Sequence, residues 1–320
     1  MPPATRTAVV GLGYFGSFHA NHYARLPGAE LRGLVDADRA RAAAAAASHG
    51  TTAFHDHRDL IGVADAVSVA VPTSHHHRVA GELIDAGIHV LVEKPIADGS
   101  AAAADLVARA RRAGVVLQVG HIERFSSTFA ALRDAVHSPL AIDCVRVGPW
   151  TGRAADVDVV LDLMIHDIDL ALSLAKSPVI EVAAAGRSIV SSRLDTAEAR
   201  LTFASGMVAR LASSRVAPKV DRRFTVTEAD RVLVADLAAR RLEIGEKRDS
   251  GFVFSASEVP PHDALGAEIA AFVGAIAGAP DRRSADGEDG LQALRVAERV
   301  LAAIAAGSGG GVSGSNGRGT

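Results

Sequence analysis

A single cysteine, Cys144, stands in a sequence of 320 residues. It cannot close an internal disulfide, and a thiolate zinc cluster is excluded. Aromatic residues are few, at 4%. No apolar run approaches the roughly 18 residues that a membrane span requires. A surplus of positive charge is also missing. Thirty-four Lys and Arg face 37 Asp and Glu, a formal net charge of −3, so the basic footprint of a nucleic-acid binder is absent. The opening residues pass straight into a valine-rich run, so no secretory leader is expected. A cytoplasmic protein that uses neither nucleic acid nor membrane is expected. Lysine is scarce as well: Lys94, Lys176, Lys219 and Lys247 stand against thirty arginines.

What is present is ordinary globular composition, with 48% hydrophobic and 22% charged residues. At roughly 150 residues per domain, the length predicts two domains. In the first third, valine-rich strands are expected at Thr7–Val10, Leu31–Val35, Asp65–Val71, His89–Val92 and Val115–Val119. Helical stretches lie between them at Phe15–Leu26, Asp38–His49, His75–Ala86 and Ser100–Ala113. This alternation implies an α/β Rossmann domain, a doubly wound parallel sheet covered on both faces. The alanine run Ala42–Ala47 reads as helix rather than linker.

After about Gly120, strands follow one another, from Ala141–Val147 to Arg241–Ile244, with one helix near Val159–Leu174. Ser205-Gly206 marks a hairpin turn. An α+β domain with a large, mostly antiparallel open sheet is predicted. Two helices follow, near Asp263–Ala277 and Glu288–Ala305. The expected division is a Rossmann domain over residues 1–121, an α+β domain for substrate and oligomerisation over 122–306, and a disordered Gly/Ser tail over 307–320.

Gly11-Leu12-Gly13-Tyr14-Phe15-Gly16 is a G-x-G-x-x-G placed after a strand and opening a helix. Gly11 permits the turn, Gly13 lets a pyrophosphate approach the backbone, and Gly16 allows close packing of helix on strand. The helix N-terminus supplies N–H groups to phosphate. Asp36, twenty residues past Gly16, can accept hydrogen bonds from both ribose hydroxyls and would repel a 2′-phosphate. The expected cofactor is NAD. Arg39 argues the other way, because an arginine there could pair with that phosphate.

Lys94, in Glu93-Lys94-Pro95, sits at the end of a predicted parallel strand, where ligands bind such sheets. Its ammonium can steady a hydroxyl oxygen as it loses a proton; an ordinary surface lysine before a turn proline reads equally well. Pro72-Thr73-Ser74-His75-His76-His77 follows another strand at the same edge. Adjacent histidines on a helix diverge, so a helix start near the nicotinamide is expected rather than a metal site. Asp162, His166 and Asp169 are spaced to share one helix face. Histidine suits a general base and a carboxylate one turn away could orient it. A polar stripe with a satisfied histidine is the competing reading.

With these sites in order, the chain resembles the glucose–fructose oxidoreductase/inositol dehydrogenase (Gfo/Idh/MocA) family. The resemblance rests on Gly11–Gly16, Asp36, Pro72-Thr73 with His76, Glu93-Lys94-Pro95 and Asp162 with His166, and covers about residues 6–305. It implies a catalytic pair, Lys94 and His166, with Asp162 beside them. It also implies a cofactor site of Gly11, Gly13, Tyr14, Phe15, Gly16, Asp36, Pro72, Thr73, His76, Glu93 and Lys94. Lys94–Pro95 becomes a candidate cis peptide, and a homodimer or homotetramer through the second sheet is implied. The stretches 119–125 and 156–169 look like the branch of UDP-N-acetylglucosamine 3-dehydrogenases, which oxidise a sugar hydroxyl before amination for lipid A. Glu123, where most of the family is uncharged, supports that branch. It implies substrate contacts from Lys94, His121, Glu123, Arg124, Arg153, Asp162 and His166, with no metal. Arg124, Arg153 and Arg215 could pair with a pyrophosphate, and could as well be solvated surface. The alternatives are a dehydrogenase of a free polyol or sugar, and a nicotinamide-binding regulator without catalysis.

Overall fold

Valine-rich runs and the helices between them resolve into strand–helix repeats in a computed structural model that describes residues 3–249 and 251–308. In chain order these are β1 (Thr5–Val10), α1 (Tyr14–Tyr23), β2 (Ala29–Val35), α2 (Arg39–His49), β3 (Thr52–Phe54) and β4 (Ala66–Val69). Then come α3 (His76–Asp85), β5 (His89–Glu93), α4 (Ser100–Ala113), β6 (Leu117–Gly120) and α5 (Ser127–Ala135). The alanine run is helical, as expected. Asp38 caps α2 by accepting from the N–H groups of Ala40 and Arg41, and Gly50 ends it at φ 63°.

The later elements are β7 (Ala141–Val147), α6 (Ile165–Ala175), β8 (Val179–Arg187), β9 (Thr196–Phe203), β10 (Val208–Ser214) and β11 (Asp221–Thr227). They continue with β12 (Arg231–Asp236), β13 (Arg241–Arg248), β14 (Gly251–Glu258), α7 (Ala264–Ile276), β15 (Ala285–Asp286) and α8 (Gly287–Ser308).

The first sheet runs β15-β6-β5-β4-β1-β2-β3. Its six parallel strands have the order of a dinucleotide-binding sheet. β15 pairs antiparallel with β6 at the edge. The core beneath it joins Val9, Leu34, Ala66 and Leu91 to Ala20 and Tyr23 of α1 and to Ile269 and Phe272 of α7. Chain contacts therefore divide the protein otherwise than at one boundary after residue 121. The first unit takes Met1–Ala135, Arg240–Leu242 and Ser257–Arg295, and the second takes the rest. The reason is packing: the apolar face of α7 completes the first core. The expected tail begins at 307, but α8 continues to Ser308, and 309–320 lie outside the described residues.

The second sheet runs β14-β13-β12-β11-β7-β10-β9-β8. β7 and β10 are parallel, while β11 pairs antiparallel with β7 and with β12, and β9 with β10 and with β8. Gly206, at φ 89°, makes the expected turn between β9 and β10. β14 was not anticipated. All eight of its residues are exposed, so it lacks the inside–outside alternation that marks a strand in sequence. α6 is fixed to β7 by a buried ion pair in which Arg146 donates to both oxygens of Asp167 at 2.8–3.1 Å.

Candidate active site

The turn from β1 to α1 needs its glycines for three separate reasons. Gly11 stands at φ +89°, and a Cβ on it would come within 2.6 Å of the Ala70 carbonyl oxygen. A Cβ on Gly16 would collide with the Gly11 carbonyl. A Cβ on Gly13 would meet nothing within 4 Å, so that face of the turn is open to a ligand. Gly13 is also the N-cap of α1, with no side chain capping the helix. Open backbone at an uncapped helix start is what a pyrophosphate requires. Tyr14 and Phe15 project beside it, 60% and 43% exposed, with their rings edge to face at 5.4 Å.

Asp36 is held across this turn. One carboxylate oxygen accepts from the Leu12 N–H at 2.8 Å and the other from the Asp38 N–H at 2.8 Å. The arginine paired with it is Arg41, whose Nη1 lies 3.3 Å from Oδ2, rather than Arg39. The turn, the helix start and the carboxylate together fit NAD.

The turn after β4 carries Pro72 and Thr73 into a short 3-10 segment, Thr73–His75, before α3. His76 is buried, and it bridges two turns: Nδ1 lies 2.9 Å from the Pro95 carbonyl and Nε2 2.9 Å from the Val71 carbonyl. Burial pushes its pKa down, against the pull of those carbonyls. Its place is a brace between the two turns, the ring donating to one carbonyl or the other according to its tautomer. The three neighbouring histidines diverge, since His77 pairs with Asp105 at 2.7 Å and His75 is exposed. Among the described residues no group of three or more His, Cys, Asp or Glu could hold a metal ion.

Glu93 ends β5, Lys94 follows, and the Lys94–Pro95 bond is cis. The Glu93 carboxylate meets His19 Nε2 at 3.0 Å. Burial alone would raise its pKa, but the His19 hydrogen bond and the nearby Lys94 charge hold it below the usual value. His19 in turn meets Ser68, whose Oγ meets the Tyr23 hydroxyl. Sequence reading missed His19. Its signal was the spacing Gly16, His19, Ala20, Tyr23, all buried on one stripe of α1.

Asp162 and His166 lie where the second unit departs from expectation. Val160–Met164 is a single π turn, and α6 begins only at Ile165. A continuous α-helix over 159–174 is therefore corrected. Such turns recur at functional sites. His166 is half-buried beside the Arg146–Asp167 pair that anchors α6, and Asp169 is buried.

The expected substrate contacts differ in their surroundings. Arg124 is buried and donates to Asp289 at 3.0 Å and to the Ser284 carbonyl at 3.2 Å. It ties the turn after β6 to the start of α8. Arg215 is likewise engaged: it pairs with Asp195 at 2.8 Å, donates to the Ala154 and Val157 carbonyls, and lies 5.3 Å from the Trp150 ring. His121 is buried, Glu123 is half-buried and Arg153 is exposed.

Two family models match the chain: the Gfo/Idh/MocA oxidoreductase family, NAD-binding Rossmann fold, over residues 5–121, and the Gfo/Idh/MocA C-terminal domain over residues 112–230. The chain is 37% identical to a UDP-N-acetylglucosamine 3-dehydrogenase of Acidithiobacillus ferrooxidans, across 94% of this chain and 97% of that one. A solved structure of UDP-N-acetylglucosamine 3-dehydrogenase from that organism superposes with a TM-score of 0.89 at 36% identity, covering 95% of this chain and 98% of that chain. An inositol 2-dehydrogenase of Rubrobacter xylanophilus is 28% identical across 94% of this chain and 91% of its own length. The glycine turn, the carboxylate after β2 and the Glu-Lys-Pro turn thus belong to a chain that is a member of the Gfo/Idh/MocA family of NAD-binding oxidoreductases.

Proposed function

We propose that the protein oxidises the C3 hydroxyl of UDP-N-acetylglucosamine to the ketone with NAD. One observation carries this reading: identity of 37% to a UDP-N-acetylglucosamine 3-dehydrogenase, sustained over 94% of the chain. In the proposed reaction His166 accepts the hydroxyl proton and Asp162 orients its ring. The Lys94 ammonium steadies the oxygen as charge develops on it. NAD, when bound, supplies the hydride acceptor; the substrate loses one proton and one hydride and becomes a ketone. Asp36 and the Gly11–Gly16 turn bind the cofactor, with Tyr14, Phe15, Pro72 and Thr73 beside it. Glu123, His121 and Arg153 remain proposed neighbours of the sugar nucleotide.

A second reading, oxidation of a free polyol, is favoured by the likeness to inositol 2-dehydrogenase. We also propose that two or four copies associate through the second sheet, whose outer strand exposes Phe252, Val253 and Phe254. A cytoplasmic setting is proposed because the one cysteine is buried and unpaired and no helix of the described residues is long and apolar enough to cross a membrane.

Substrate deuterated at C3 tests the reaction. Label should appear in NADH and turnover should slow. Turnover of myo-inositol with none of the UDP-sugar would establish the second reading. Lys94→Ala and His166→Ala should each lower kcat by about 10²-fold or more while NAD binding is nearly unchanged. Near-normal turnover in either variant would remove that residue from the mechanism.

A further inference from the structure

A line of hydrogen bonds runs from the core of the first unit to the Glu-Lys-Pro turn. The Tyr23 hydroxyl lies 2.8 Å from Ser68 Oγ, Ser68 Oγ lies 3.0 Å from His19 Nδ1, and His19 Nε2 lies 3.0 Å from Glu93 Oε1. Its interior members are sealed: His19 and Tyr23 are each 1% exposed and Ser68 0%. Three elements contribute, α1 with His19 and Tyr23, β4 with Ser68 and β5 with Glu93.

The ends of the line fix its direction. An ionised carboxylate only accepts, so the proton facing Glu93 belongs to His19 Nε2. The opposite end is a buried phenol. Burial raises its pKa, with Ser68 opposing and the Glu268 charge adding to the rise, so Tyr23 keeps its hydrogen; with the ring singly protonated on Nε2, Nδ1 only accepts, and Ser68, donating to it, takes the Tyr23 hydrogen. The Ser68 hydroxyl is left to donate to Nδ1. Every donor then has an acceptor when the ring carries one proton, on Nε2. The other tautomer would place Nδ1–H against Ser68 and a lone pair of Nε2 against the carboxylate, an arrangement that burial penalises.

We propose that His19, locked in its Nε2–H tautomer by Ser68 and Tyr23, is a positioning residue for the reaction: it anchors the Glu93 carboxylate and, through it, the turn that carries Lys94. The proposal rests on the role given to Lys94 above. Its physical content is preorganisation. Glu93 is the last residue of β5 and Lys94 the first beyond it, so a Glu93 side chain free to rotate would loosen the backbone at the reacting ammonium. Small displacements of that kind lower rates without abolishing binding.

Two measurements on the full-length protein test this. The first is the tautomer, read from long-range imidazole ¹H–¹⁵N correlations, with His19 assigned by the loss of its signals in His19→Gln. A proton on Nε2 is expected. Tyr23→Phe, which keeps the core volume but removes the orienting hydrogen, should produce a mixture of tautomers. A proton on Nδ1 in the unmodified protein, or a pattern indifferent to Tyr23→Phe, overturns the lock.

The second is steady-state kinetics. His19→Ala should lower kcat about 10-fold or more with the KM for NAD changed by less than about 3-fold. His19→Gln, whose amide N–H can reach the carboxylate, should recover most of that loss. Unchanged kcat in His19→Ala overturns the proposal, and so does a loss that Gln does not recover. Should His19→Ala fail to fold, Tyr23→Phe takes its place, with a few-fold fall in kcat expected and no fall counting against. Lys94→Ala separates the two readings. Normal turnover there, with a loss in His19→Ala, retires the Lys94 role and leaves His19 as the anchor of Glu93 alone.

Discussion

The Glu93 carboxylate fills the space that a side chain on Gly120 would need. A Cβ built on Gly120 would stand 3.1 Å from the carboxyl carbon and from both of its oxygens. The two residues are register partners on β5 and β6, so glycine at 120 and glutamate at 93 form one packing unit. Gly120→Ala should therefore displace Glu93 with little effect on folding. We expect kcat to fall several-fold, with a melting temperature within a few degrees of the unmodified protein. Unchanged kcat would show that the turn does not depend on the place of Glu93.

Asp36 and Arg41 are expected to set the choice between NAD and NADP. The carboxylate is fixed by Leu12 and Asp38 N–H groups, and Arg41 lies 3.3 Å away. NAD should bind about 10-fold or more tightly than NADP, or about 1.4 kcal/mol. Asp36→Ala should narrow the ratio in two ways, by removing the ribose acceptor and by freeing Arg41 for a 2′-phosphate. Asp36→Ala/Arg41→Ala should lose the second part. Fluorescence titration with both cofactors measures each step, and equal NADP binding in the unmodified protein would reject the assignment.

Arg146 and Asp167 form a buried pair that breaks badly. Arg146→Ala leaves a buried carboxylate with its partner gone, a loss of about 3–5 kcal/mol. Arg146→Met/Asp167→Leu removes both charges and should recover most of it. Chemical denaturation of the two variants decides the matter. A single variant as stable as the double would show that the pair does not hold α6.

Asp195 predicts an acid limb of stability. Its carboxylate accepts from the N–H groups of Ile189, Val190 and Ser191 at 2.6–3.0 Å and pairs with Arg215. Burial alone would raise its pKa, but the Ser191, Ile189 and Val190 hydrogen bonds lower it well below the ordinary value. A pKa lowered by folding means that the unfolded chain binds more protons in the window between the two values. Its stabilisation is thus complete above the unfolded value of about 3.9 and is lost as pH falls through the folded value. The gap in melting temperature between the unmodified protein and Asp195→Asn should be widest near neutral pH and shrink below about pH 4. A gap that stays constant down to pH 3 would contradict this.

Local chemistry was legible in the sequence, and long-range packing was not. The Gly11–Gly16 turn could be read because its glycines fall at a fixed spacing between a strand and a helix, although the backbone that excludes a side chain at Gly11 is that of distant Ala70. Lys94 stood out because lysine is rare in this chain. The π turn at Val160–Met164 could not be read, since one extra residue in a helical turn changes no composition. Arg41 displaced Arg39 for a similar reason: both follow Asp36 closely, and only the helix phase decides which guanidinium returns to it. The duties of Arg124 and Arg215 were hidden because their partners, Asp289 and Asp195, lie 165 and 20 residues away. The tie of α7 to the first core depends on contacts 150 or more residues apart, which no local pattern encodes.

That tie has a consequence for synthesis. Val9, Tyr23 and Leu91 reach the ribosome exit early, but Ile269 and Phe272, which cover them, emerge some 180 residues after Leu91. At about 5–20 residues per second, the nascent NAD-binding unit waits roughly ten seconds or more with an apolar face bare. Chaperone dependence during translation, and failure of a fragment cut after residue 135, are the outcomes expected from where one helix stands in the gene order of the fold.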